Sequence, residues 1–105
     1  MINYQELSRF LSESISHIMK DIQKEAAQIK SPILKQYNSM LQEAQDSIAA
    51  MHLEAQEEYF HLFNAITDVI AKMDAEGSTL IGKKYMLLLI DLQKDAEELY
   101  LQQED

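Results

Sequence analysis

The sequence predicts an all-α fold, an elongated antiparallel bundle of three helices over residues 3–30, 32–75 and 79–102 that forms a single domain (1–105) and dimerises. Three observations carry this expectation. The chain has only two glycines and one proline, at positions where turns are wanted. Apolar residues recur every three or four positions, and strand-like alternation fits nowhere along the longest stretch. From Ile33 to Met73, neither glycine nor proline interrupts the pattern.

The first helix opens with Asn3 as cap, Glu6 at the capping-box position, and Ile2 and Leu7 placed as a hydrophobic staple. Its stripe reads Tyr4, Leu7, Leu11, Ile15, Ile18, Ile22, Ala26, Ile29, broadened by Phe10 and Met19. Ser31-Pro32 ends it: the residue before proline avoids helical geometry, while proline suits the first turn of the next helix, with Ser31 as its cap.

The central helix carries Tyr37, Leu41, Ala44, Ile48, Met51, Ala55, Tyr59, Leu62, Ile66, Val69 and Met73, a heptad stripe with one four-residue insertion between Met51 and Tyr59. Unbroken, it spans about 60 Å at 1.5 Å per residue. No breaker marks the insertion, so the expectation is one continuous helix and an elongated molecule. Gly77 then reads as a left-handed stop and Ser78 or Thr79 as the cap of the third helix. Gly82 falls in that helix's first turn and predicts fraying there. From Tyr85 to Leu92 the third helix is apolar around most of its circumference. In this arrangement the outer helices overlap only near residues 50–62, each end is a two-helix pair with an open flank, and a second copy or another protein's helix covers it.

Charge narrows the partners. The net charge is −9, distributed as neutral over 1–31, −6 over 32–76 and −3 over 77–105. Such a field disfavours direct contact with nucleic acid or an anionic membrane. No cysteine is present, which excludes disulfides, thiol nucleophiles and cysteine metal sites. Without a signal-like amino terminus or a long apolar run, the expected location is the cytoplasm.

Three stretches touch known chemistry. Gly77–Lys84 comes one residue short of a phosphate loop: Lys84 replaces the magnesium-binding Ser or Thr, and a helix end precedes it instead of a strand. Glu58 and His61 have the i, i+3 spacing of carboxylate–histidine half-sites in di-iron bundles, but no facing carboxylate at matching height is evident on the first helix's stripe. His17-Ile18-Met19-Lys20 resembles the core of histidine phosphotransfer bundles over four residues only; Asp21 stands where a small residue is needed. The residues therefore predict no enzyme, no cofactor and no metal.

The expected function is that of a helical protein–protein interaction module, as an adaptor, small chaperone or regulatory subunit. It binds a second copy or another protein through Tyr59, Phe60, Phe63, Ile70, Met86, Leu88, Leu89 and Leu92. The alternatives are an acidic decoy for a nucleic-acid-binding protein, using Glu43, Asp46, Glu54, Glu57 and Glu58, or a phosphotransfer or metal-binding bundle.

Overall fold

The computed structural model describes residues 1–76 and 80–103, and every regular element among them is helical. The helices are α1 (Tyr4–Ile29), α2 (Pro32–Ala50), α3 (Ala55–Ala75) and α4 (Leu80–Gln103). The expectation of three helices is therefore wrong. What reads as one central rod is two helices, broken at residues 51–54.

The break has a physical cause that the absence of glycine and proline conceals. After Ala50, the Met51 and His52 amides bond back to Ile48 and Ala49 at 3.1 and 3.3 Å, tightening the last turn. His52 takes a left-handed conformation (φ 53°) and Glu54 is extended, so the chain reverses. A left-handed non-glycine residue costs about 1–2 kcal/mol. Reversal lets Leu62, Ile66, Val69 and Met73 of α3 pack into the same core as α1 and α2, all at most 3 % exposed. Each such side chain contributes about 1.5–3 kcal/mol on burial. Burial outweighs the local penalty several-fold. The four-residue insertion marks where the stripe changes partners, and Met51, the stripe member at the break, is half exposed.

The other boundaries match the local chemistry. Asn3 Oδ1 accepts from the Glu6 amide at 3.1 Å, whereas the Asn3 amide donates to Gln103 Oε1 at 2.7 Å, so α4's last turn closes this cap. Ser31 Oγ accepts from the Leu34 amide at 3.3 Å, with Pro32 in the first turn of α2. Lys30 supplies the left-handed residue that ends α1. α4 is regular through Gly82, which is buried, so the predicted fraying there does not occur. The expected stop at Gly77, the caps at Ser78 or Thr79, and the fraying of Glu104 and Asp105 lie outside the described residues.

Packing follows an up-down-up-down order with unequal diagonals. α1 and α3 run parallel and touch across the middle, while α2 and α4 flank this pair on opposite sides. Leu7, Leu11, Ile22, Leu34, Leu41, Ile66, Met73 and Leu89 are essentially inaccessible and form one continuous core. The molecule measures 45 × 27 × 22 Å, well short of a 60 Å rod. This flattened arrangement leaves α4 packed only against α1 and α3, with its outer side open.

Candidate interaction surface

At the end of the bundle where α1 and α3 begin and α4 finishes, five aromatic side chains meet. Tyr59 and Tyr100 stack with ring centres 6.2 Å apart and planes 8° apart, and Tyr4 lies 6.1–6.2 Å from Tyr59, Phe60 and Tyr100. Phe60 meets Tyr59 edge-on at 5.1 Å, and Phe63 lies 6.1 Å from Tyr59. Such pairs are favoured because ring edges and faces carry opposite partial charge. Tyr59 is the buried centre; burial, followed by the Glu97 carboxylate, pushes its hydroxyl above the ordinary tyrosine value.

These rings floor an open groove of about 460 Å³ between α3 and α4, lined by Tyr59, Phe60, Phe63, Asn64, Glu97, Tyr100 and Leu101. Phe60 is 42 % exposed and Leu101 62 %. Farther along the same seam, Gln93 Nε2 donates to Phe63 O at 3.1 Å and Thr67 Oγ1 at 2.6 Å, fastening α4 to α3. The groove is thus built from two helices, with the Glu97 carboxylate and the Asn64 amide on a mostly apolar wall.

A second apolar surface lies on α4 itself. Leu80, Leu87 and Leu88 are exposed, flanked by exposed Lys83 and Lys84. Beneath it, Lys84 Nζ lies 3.1 Å from Glu25 Oε1, and the Tyr85 hydroxyl lies 2.9 Å from the same oxygen and 3.2 Å from Asp21 O. These bonds hold Glu25 below the ordinary carboxylate value, with the Lys84 bond the larger cause and the Tyr85 bond next. Burial, then the Glu25 bond, raises Tyr85 well above the ordinary tyrosine value.

The eight residues expected to bind a partner divide between two environments. Tyr59, Met86, Leu89 and Leu92 belong to the core. Phe60 and Leu88 are exposed, and Phe63 and Ile70 half-buried against the core. Sequence reasoning missed Tyr100, Leu101, Leu87 and Leu80. Helical spacing carried the signal: Leu80, Leu87 and Leu101 fall at multiples of seven, on the side opposite Leu89 and Ala96.

The other chemical candidates are placed as follows. Glu58 accepts from Ser8 Oγ at 2.7 Å, while His61 is exposed; no cluster of three or more His, Asp or Glu suited to a metal occurs among the described residues. His17 is exposed between Glu13 and Asp21, one turn to either side, whose charges repel a phosphoryl group. Of the acidic set, Glu43, Asp46, Glu54 and Glu57 are exposed and Glu58 is half-buried. The loop-like match at Gly77–Lys84 begins outside the described residues, and its second half lies in regular helix. No described helix is long and apolar enough to cross a membrane. The chain matches no family model, no curated protein and no solved structure. What the fold defines is a small all-α bundle with apolar patches on its surface.

Proposed function

We propose that this bundle is a non-enzymatic protein-interaction module whose contact surface is the α3–α4 groove together with the outer side of α4. One observation carries the reading. Of the large apolar side chains exposed among the described residues, Phe60, Leu80, Leu87, Leu88 and Leu101 lie on α3 and α4 above the core, while Met1, Ile29, Ile33 and Met51 lie elsewhere. Large exposed side chains grouped on two adjoining helices, and anchored on a rigid aromatic floor, have the composition of an interface centre. The charges around it, Lys83 and Lys84 at one end and Asp95, Glu97 and Glu98 at the other, set orientation and discourage wrong partners. Cytoplasmic action as an adaptor, small chaperone or regulatory subunit fits this surface.

Photo-crosslinking in the source cell tests it. A photoreactive residue in place of Phe60 or Leu87 is expected to give discrete protein adducts, while one in place of Gln42, exposed on α2, gives none. Absence of adducts at all three positions, or equal labelling at all three, overturns the reading.

A further inference from the structure

The outer side of α4 carries its own polarity. Leu80, Lys84, Leu87, Asp91, Lys94, Glu98 and Leu101 are all exposed and follow one another at steps of 4, 3, 4, 3, 4, 3. These positions share the face of α4 turned away from the core, with three leucines and four charged residues on it. Its first half carries two cations, Lys83 and Lys84, and no anion; its second half carries Asp91, Asp95, Glu97 and Glu98 against Lys94 alone.

We infer that α4 pairs antiparallel with α4 of a second copy about a two-fold axis near Asp91. The inference rests on the interaction-module reading and names its occupant. Reversal sets Leu80 against Leu101 of the other copy, Lys84 against Glu98, and Leu87 against the aliphatic stem of Lys94, each twice by symmetry. The two Asp91 side chains meet on the axis, with a Lys94 from each copy one turn away. A parallel pair would set cations on cations. A uniformly basic partner helix would be repelled by Lys83 and Lys84, and a uniformly acidic one by the second half. Turned around, α4 itself sets its acidic second half (Asp95, Glu97, Glu98) against Lys83 and Lys84. A single helix–helix contact is smaller than the roughly 1,200 Å² of standard interfaces, so the dimer is weak.

Sedimentation equilibrium up to millimolar protein tests the pairing by charge exchange. Wild type is expected to dimerise. Lys84→Glu and Glu98→Lys each weaken the dimer at least about tenfold, because each creates two like-charge contacts. An equimolar mixture of the two variants regains a dimer of one copy each, since both contacts become complementary. Glu98 has no part in the Lys84–Glu25 bond, and circular dichroism of both variants checks that the fold survives. A wild type that stays monomeric, or a mixture that behaves as the sum of its parts, overturns the pairing. If Phe60 still crosslinks to another protein in that case, the module reading stands and only the self-pairing fails.

Discussion

Ser8 Oγ donates a 2.7 Å hydrogen bond to Glu58 Oε1, tying the first turns of α1 and α3 across the short diagonal of the bundle. Apart from tyrosines, Ser8 is the one buried polar side chain among the described residues, and Glu58 is half-buried beside it. The carboxylate whose spacing suggested a metal half-site is thus occupied in holding two parallel helices at one height. Ser8→Ala leaves that carboxylate short of a partner, and the expected loss is about 1–2 kcal/mol in urea unfolding. A loss equal to that of Ser12→Ala would show the contact to be idle.

His52 is where the chain accepts strain to reverse between α2 and α3. His52→Gly is expected to hold or raise stability by up to about 1 kcal/mol, because glycine takes the left-handed conformation freely. His52→Val is expected to lower it by about 1–2 kcal/mol. Equal thermal midpoints for the two variants would contradict a left-handed residue at this site.

Leu88 and Leu89 are neighbours with opposite fates: Leu88 is 37 % exposed and Leu89 fully buried. Leu89→Ala is expected to cost about 2.7–5 kcal/mol through the cavity it leaves. Leu88→Ala is expected to stay within about 0.5 kcal/mol of wild type. Denaturant unfolding of the pair checks this, and similar losses would misplace α4's outer side.

Acid should weaken the bundle through Glu25. Lys84 and Tyr85 hold its folded-state pKa below the ordinary 4.5, so the stability it adds is fully present above that value. It is lost as pH falls from 4.5 through the lowered folded value. In an NMR titration, Lys84→Ala should move the Glu25 carboxyl up towards 4.5; an unchanged midpoint would contradict the bond.

Base should act through the tyrosines. Tyr37, Tyr59 and Tyr85 are all raised above 10.0, chiefly by burial, so each adds stability that is complete below pH 10 and declines as pH rises beyond it. Thermal unfolding from pH 8 to 12 should show that decline, less steep in Tyr85→Phe. A flat profile would contradict the buried placement.

Much of the core was legible because helical burial imposes spacing. Tyr37, Leu41, Ile48, Tyr59, Leu62, Ile66, Val69 and Met73 were read as one stripe and all are buried. The hairpin within that stripe was hidden, because a histidine rather than a glycine takes the left-handed turn and tertiary burial outweighs local helix preference. The surface suffered for the same reason. With the central segment read as one rod, the Tyr85–Leu92 run had too few neighbours, so Met86, Leu89 and Leu92 looked free for a partner. Folding α3 back against α1 gives α4 two helices to pack on and buries all three. Leu80 and Leu101, at the ends of α4, carry the exposed surface that the run's middle lacks.

Every surface described here exists only if the central segment doubles back at residues 51–54. The chain has no cysteine, so Lys35→Cys and Lys72→Cys, both exposed, accept spin labels without competition. In the hairpin these sites lie at the same end of the bundle, where Tyr37 Oη is 3.2 Å from Glu76 Oε2. Pulsed electron resonance should therefore find the labels within about 25 Å, allowing for helix spacing of 8–10 Å and the label arms. A separation near 55 Å, the length of an unbroken helix between the two positions, would contradict the fold and the interaction surface with it.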